Sequence, residues 1–182
     1  MTVRVTYRRT SRLSMRIGKN GDLLVSAPYF TPSSAIRSFI DGHRGWIEDA
    51  MLRRARLTET ENSRFAALPL GTAKEKAEAS GRLDEIVAPL VRKYSAEMGV
   101  MPGKVCYRAS RTRWGSCNVR TGNINFSLYL LLLPLPCIEH TVVHELAHLT
   151  VPNHGPAFRA IMDRFYPQWR EARELARKTM SR

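Results

Sequence analysis

Cysteine is scarce in this chain and is never closely paired. The three cysteines are Cys106, Cys117 and Cys137, an odd number without any C-x-x-C spacing. Such a set supplies neither a disulfide framework nor a cluster of thiolates for zinc. We therefore expect a protein of a reducing compartment, and the location that we predict is cytoplasmic.

Long apolar segments are also missing. The longest run, LYLLLLPLP at 128–136, is too short to span a bilayer and contains two prolines. The first residues, MTVRVTYRRTSRLSMRIG, are charged and never reach the apolar stretch of a signal peptide. We accordingly expect no targeting segment and no membrane partner.

Acidic residues are in deficit, with 16 Asp and Glu against 29 Lys and Arg, which gives a net charge of +13. A surplus of this size favours polyanionic partners such as nucleotides or nucleic acid. The basic residues are nevertheless spread along the whole chain and form no single tail. Charge alone therefore leaves a nucleotide or nucleic-acid partner as an open alternative.

The first half of the chain predicts a small sheet followed by helices. Apolar residues alternate over 3–27 around the turn signal GKNGD, which predicts an antiparallel sheet. TPSS at 31–34 offers Thr31 as N-cap of a helix that runs to about Arg56. Residues 58–81 are polar and lack a steady period, which is typical of a linker or loop. Helical spacing resumes at Leu83.

The second half combines strands with helices. KVCYRASRTRWGSC (104–117) is interpreted as a strand, and INFSLYLLL (124–132) as a strand or buried segment. A helix is predicted from about Pro136 until Pro152 ends it, and two amphipathic helices follow. Pro89 is expected to kink or split the helix before these strands. The fold class predicted from these elements is α+β.

An H-E-x-x-H pattern occupies residues 144–148. On a helix, His144 and His148 lie on one face a turn apart, where both imidazoles can reach one tetrahedral ion. Glu145 projects about 100° around the helix axis and flanks this face. The pattern predicts that the histidines hold zinc and that Glu145 is the general base toward the water that the metal activates.

A catalytic zinc needs a third protein ligand. His154 is the best candidate, because it follows the motif by six residues and lies beyond Pro152, where the chain can turn back. The spacing is like that of metzincins, although Val151 stands where those proteins carry glycine and no Met-turn follows. His140 lies on the same face one turn earlier, and we interpret it as a neighbour of the site and not as a ligand.

Four segments occur in the order and approximate spacing of a known family: RTRWGSC (111–117), GNINFSLYLLLLP (122–134), VVHELAHL (142–149) and NHGPAF (153–158). With them the chain resembles the YgjP-like zinc metallopeptidases, which are related to SprT-like proteins. The resemblance covers most of the chain and is specific from 107 to 170. The chain departs from the family at 58–81, where members usually have two extra strands. It also departs at Arg159, where an aromatic residue is common.

The resemblance implies a minimal zincin-like domain, in which the H-E-x-x-H helix lies beside a small sheet and zinc is held by His144, His148 and His154. It also implies that the RWGSC strand borders the metal cleft, where zincins pair an edge strand with an extended peptide. The substrate-binding candidates are then Arg111, Arg113, Trp114 and Ser116. For Trp114, the role of a core anchor is favoured over substrate contact.

Two kinds of supporting residue are expected around such a centre. A group that stabilises the oxyanion is required, and Arg113, His140 and Tyr166 are candidates among which the sequence does not choose. Histidine ligands also need hydrogen-bond acceptors behind them, for which Asp163 and Glu139 are the guesses.

We predict three regions: an N-terminal β-hairpin and helix subdomain at 1–57, a linker or loop at 58–81, and a zincin-like metallohydrolase domain at 82–182. The predicted function is zinc-dependent hydrolysis of peptide bonds, with a peptide or protein as substrate. One alternative is a metal-dependent nucleotide pyrophosphatase, an activity that the resemblance carries for one member. The other is a basic, DNA-associated protease or binding module, as in SprT-like relatives.

Overall fold

The computed structural model describes residues 2–18 and 20–181, and the chain divides into two compact units, residues 1–63 and 64–182. Both units combine a three-stranded sheet with helices. The α+β fold class predicted from the sequence is confirmed. No helix among the described residues has the length and apolar character needed to cross a membrane.

The sheet of the first unit contains β1 (Val3–Arg8), β2 (Ser14–Ile17) and β3 (Leu23–Pro28) in the order β1-β3-β2. β2 and β3 form the predicted antiparallel hairpin, whereas β1 is parallel to β3. The expectation of a wholly antiparallel sheet is therefore wrong. Alternation of apolar residues reports which face of a strand is buried, and it carries no information on strand direction.

Helices α1 (Ser33–Asp41) and α2 (Arg44–Ala66) follow this sheet, and the last turn of α2 already belongs to the second unit. Pro32, and not the predicted Thr31, occupies the N-cap position of α1. The Thr31 hydroxyl donates instead to the carbonyl of Pro28, at 2.8 Å. The core of this unit consists of buried residues from β3 and the two helices: Leu23, Val25, Ala27, Ile36 and Ile47.

Residues 58–81, expected to be a linker or loop, are mostly helical. α2 continues to Ala66 and α3 (Ala73–Met98) begins soon afterwards, so that only 67–72 connect them. A capping box starts α3: Glu75 N–H donates to Thr72 Oγ1 at 3.1 Å, and Thr72 N–H donates to the Glu75 carboxylate at 2.8 Å. Apolar residues show no helical periodicity over 58–81 because the helical turns in this segment are largely exposed to solvent. The division into domains itself stays a prediction.

The second unit begins at Arg64, and its first complete helix is α3, which includes Pro89 without being split. The strands β4 (Val105–Arg108), β5 (Gly115–Asn118) and β6 (Asn123–Ser127) follow, in the sheet order β4-β6-β5. The single strand predicted over 104–117 is thus two strands. β4 is parallel and β5 antiparallel to β6, which leaves β5 at one edge of the sheet. A short 3-10 helix, Leu128–Leu132, leads away from β6.

Helices α4 (Leu135–Ala147), α5 (Pro156–Phe165) and α6 (Trp169–Ser181) complete the second unit. α4 packs against α3, α5, α6 and β5, and its Val142, Val143 and Leu146 are fully buried. α4 ends at Ala147, earlier than the predicted stop before Pro152. The N–H groups of residues 149–151 donate back to the carbonyls of Leu146 and Ala147, which closes the helix in tight turns.

Candidate metal centre

Three histidines meet where α4 ends and α5 begins. His144 lies in the last turn of α4, His148 caps that helix, and His154 lies in the connection to α5. Tight turns over 149–151 reverse the chain direction after α4 and bring His154 back to the other two histidines. One ring nitrogen from each histidine therefore lies within 4.8 Å of the others. The Nε2 atoms of His144 and His154 are 3.0 Å apart. Three imidazole nitrogens at this separation can converge on one ion.

The surroundings of His144 and His148 favour the neutral imidazole, which is the form that binds metal. Burial, reinforced by the neighbouring histidines, lowers the pKa of His144 to about 3. Burial also lowers the pKa of His148. His148 Nδ1 lies 3.2 Å from the carbonyl oxygen of Val151, to which it donates in the tautomer that leaves Nε2 free for a metal.

Phe158 supports the three histidines from within α5. Its ring centroid lies 4.9 Å from that of His144 and 4.8 Å from those of His148 and His154. The side chain is only 4% exposed. The sequence analysis does not single out this contact, although Phe158 ends the segment NHGPAF that carries part of the family resemblance.

Glu145 points from α4 toward the sheet and not toward solvent. It is 5% exposed, and this burial raises the pKa of its carboxyl to about 7, although a hydrogen bond from the backbone N–H of Cys117 opposes the shift. Cys117 belongs to β5, so the carboxylate is held between the histidine helix and the edge strand. A buried carboxyl with a raised pKa is suited to accept and return a proton near neutral pH.

Gly115 makes this arrangement possible. A Cβ atom at this position would lie 2.5 Å from Oε1, 2.6 Å from Cγ and 2.8 Å from Cδ of Glu145. These separations are far below van der Waals contact, so only glycine lets β5 lie against the carboxylate. Sequence reasoning considered Trp114 and Ser116 and missed the glycine between them.

An open cleft of about 810 Å³ gives access to His144, His154 and Glu145. Gly115 and Trp114 line it on the strand side, and residues of α4, α5 and α6 line most of the rest. The contributions of α5 and α6 include three arginines: Arg159, Arg170 and Arg173. The cleft is large enough for a segment of a peptide, and it brings such a segment to both the histidines and the carboxylate.

Comparison with known families matches the YgjP-like metallopeptidase domain to residues 76–178, more than half of the chain. The chain belongs to the YgjP-like metallopeptidase family. This family assignment makes it a metal-dependent hydrolase.

Two solved structures are similar to this YgjP-like protein. One is the metallopeptidase zymogen of Pyrococcus abyssi abylysin, with 24% identity, a TM-score of 0.46, and coverage of 52% of this chain and 92% of the other. The second is the metallopeptidase zymogen of Methanocaldococcus jannaschii jannalysin, with 15% identity, a TM-score of 0.45, and coverage of 52% and 94%. A search among curated proteins finds no match to the chain.

The four predicted substrate-binding residues of this YgjP-like domain are dispersed. Trp114 lines the cleft and also packs against the core. Arg113 and Ser116 line a second, smaller cavity of about 410 Å³. Arg111 lies over the rings of Phe65 and Tyr129, with its guanidinium carbon 5.2 Å and 5.8 Å from their centroids. Of the four, the cleft beside the histidines thus includes Trp114.

The three oxyanion candidates are also separated. His140 lines the cleft, one helical turn before His144. Burial, followed by the charge of Arg173, lowers the pKa of His140 to about 4, so its imidazole is neutral. The Tyr166 hydroxyl is turned into the core, where it donates to the Pro136 carbonyl at 3.0 Å. Neither Tyr166 nor Arg113 lines the cleft.

The guesses for the acceptors behind the histidines are wrong. Asp163 accepts hydrogen bonds from Trp169 Nε1 at 2.7 Å and from Arg170 at 2.6 Å. Glu139 accepts a hydrogen bond from the Tyr94 hydroxyl at 2.7 Å. Both carboxylates are therefore engaged elsewhere, and the acceptor behind His148 is a backbone carbonyl that no side-chain pattern could indicate.

Proposed function

We propose that this protein is a zinc-dependent peptidase in which His144, His148 and His154 bind the metal and Glu145 acts as the general base. The observation that carries this proposal is the position of Glu145. It is a buried carboxylate adjacent to the histidine triad, it borders the same open cleft, and it is fixed by the backbone of an edge strand. A structural metal site would need no carboxylate there.

The donor set fits zinc. Three imidazole nitrogens suit a borderline-soft ion, and no carboxylate or thiolate takes part in the cluster of described residues that could hold a metal. Zinc held by His144, His148 and His154 would supply a Lewis acid that lowers the pKa of water and polarises a substrate carbonyl.

Glu145 then transfers a proton during the reaction. Glu145 accepts a proton from the attacking water as the water oxygen bonds to the peptide carbonyl carbon. The same carboxyl returns the proton to the leaving nitrogen as the C–N bond breaks, so that atoms and charge balance. The Cys117 N–H and the absence of a side chain at Gly115 keep the carboxyl oriented throughout.

His140 is the group that we assign to the developing negative charge on the carbonyl oxygen. It lines the cleft, and a neutral imidazole donates one N–H hydrogen bond. Of the sequence candidates, Arg113 and Tyr166 lie away from the cleft lining. Donors aimed at a developing oxyanion act most strongly in sites from which water is partly excluded.

Removal of the His140 imidazole is expected to lower kcat by about 100-fold in His140→Ala, with a smaller effect on KM. The reason is that this donor acts on charge present mainly in the transition state. Zinc content should stay unchanged, and His140→Gln should recover part of the loss through its amide N–H. A kcat equal to that of the wild type in both variants would contradict the assignment.

Metal removal tests the proposal at its base. The purified protein is expected to contain about one zinc ion per chain, measured by inductively coupled plasma mass spectrometry. Dialysis against a chelator should abolish peptide hydrolysis, and zinc should restore it. His148→Ala should lose the bound zinc, whereas His43→Ala, a histidine of the first unit, should retain it. Zinc retained after substitution of all three site histidines would exclude this centre.

A parallel screen addresses the nucleotide and nucleic-acid alternatives. A guanidinium binds a phosphate as well as a carboxylate, so the arginines of the cleft require these alternatives to be tested directly. Nucleoside triphosphates, peptides and unfolded protein should therefore be offered to the same preparation. We expect hydrolysis of polypeptide, because the family is one of metallopeptidases.

A further inference from the structure

The cleft beside the histidine triad is charged unevenly. Its strand side presents Gly115 and Trp114, and the acidic residue of the lining, Glu145, projects from α4 toward this side. The side formed by α5 and α6 presents Arg159, Arg170 and Arg173. A concave site lined by charge of one sign concentrates its field on an approaching ligand.

The three arginines differ in whether a neighbouring carboxylate neutralises their charge. Arg170 donates to Asp163 at 2.6 Å and stacks over Trp169 at 4.3 Å from the ring centroid. Among the described residues, no carboxylate lies within ion-pair distance of Arg159 or Arg173. Elsewhere on α6, Arg177 is paired with Glu174. Arg159 and Arg173 border the cleft and have no carboxylate partner in the part of the chain that the structure describes, so both are available to an anionic ligand.

The rest of the cleft indicates which kind of anion fits. A guanidinium binds a carboxylate through two parallel hydrogen bonds. The walls around the arginines include the apolar side chains of Trp114, Leu133 and Phe158, against which peptide side chains can pack. Glu145 is buried and accepts a hydrogen bond from the Cys117 N–H, so it does not neutralise the arginines.

We propose that Arg159 and Arg173 form a subsite for a carboxylate of the peptide substrate, so that the enzyme prefers peptides with an acidic group near the scissile bond. This inference rests on the proposed peptidase function. The carboxylate has two sources, an acidic side chain or the free C-terminus of the peptide. Both present the same group to the arginines.

Binding tests the subsite separately from turnover. Zinc-loaded Glu145→Gln protein is titrated at low salt with four heptapeptide mixtures that differ only in one Glu or Gln and in a free or amidated C-terminus. We expect one acidic mixture to bind about tenfold more tightly than its neutral counterpart, as for one charge-assisted bidentate pair. Which mixture is favoured identifies the source of the carboxylate.

Substitution of the arginines should remove this preference. A variant that combines Arg159→Gln and Arg173→Gln with Glu145→Gln should bind all four mixtures equally. Arg173→Lys, also combined with Glu145→Gln, should keep part of the preference. Arg164→Gln is the matched control, because Arg164 is an exposed arginine of α5 outside the cleft lining. Thermal unfolding of each variant establishes that the fold is retained.

The outcomes separate the subsite from the proposed function. Equal binding of the four mixtures before the arginines are changed, no binding of any mixture, or a preference that survives the double substitution would each overturn the subsite. Tighter binding of inorganic triphosphate than of the acidic peptides would also overturn it. Failure of the wild type to cleave any mixture, with the binding preference present, would refute the peptidase function and leave the subsite standing.

Discussion

Glu145→Gln is expected to lower kcat by about 100- to 10,000-fold while zinc content stays near one ion per chain. Glutamine keeps the size of the side chain and its contact with Gly115, but it cannot accept and return a proton. The loss should therefore appear in kcat, with KM little changed, and metal analysis should be run on the same preparation.

A substitution of the same chemistry elsewhere provides the control. Glu139→Gln alters a carboxylate that is bonded to Tyr94, one residue before His140 and outside the cleft lining. It should retain most of the activity. Turnover by Glu145→Gln at the wild-type rate would remove Glu145 from the mechanism, whereas loss of zinc in that variant would make its role structural.

Gly115→Ala is expected to lower kcat by about 100-fold, an effect comparable to that of a 1 Å misplacement of a catalytic group. The added methyl group would overlap Oε1, Cγ and Cδ of Glu145. The carboxylate must then leave its place beside β5, although the three histidines are unchanged. We therefore expect zinc to remain bound while activity falls.

Gly81→Ala is the matched control for this substitution. Gly81 lies within α3, and a Cβ atom there would meet nothing within 4 Å. The change should leave activity intact and stabilise the protein by about 0.5–1 kcal/mol, because alanine is the better helix former. Unchanged kcat in Gly115→Ala would mean that Glu145 tolerates displacement, which the proposed proton transfer does not allow.

The histidine arrangement could be predicted because its information is local. The spacing of His144 and His148 fixes their common face on a helix, and His154 follows within six residues. The structure brings the ring nitrogens of all three within 4.8 Å. The route differs in detail, because the helix ends at Ala147 and the turn is made by 149–151 before Pro152 is reached.

The partners of Glu145 could not be predicted from spacing. Gly115 lies thirty positions before Glu145 in the chain, and the two meet only because β5 packs against α4. No periodicity encodes such a contact. The resemblance placed the RWGSC strand beside the cleft, but the residues considered there were the polar and aromatic ones, whereas the close contact is made by the residue without a side chain.

The arginines of the cleft show a second limit. Arg159, Arg170 and Arg173 are three of many basic residues in the sequence, and nothing in their spacing marks them. The prediction for Asp163 fails for the same reason: the sequence suggests it as an acceptor behind the histidines, whereas it binds Arg170. The pairing of surface charges depends on how α5 and α6 pack, which local sequence does not determine.

The most direct test of the account is a parallel turnover measurement on zinc-loaded wild type and Glu145→Gln, with unfolded protein, a peptide mixture and nucleoside triphosphates as substrates. We expect the wild type to cleave polypeptide at backbone amides, located by mass spectrometry, and Glu145→Gln to cleave none. Hydrolysis of nucleoside triphosphates that depends on Glu145, without cleavage of any polypeptide, would contradict the proposed peptidase function.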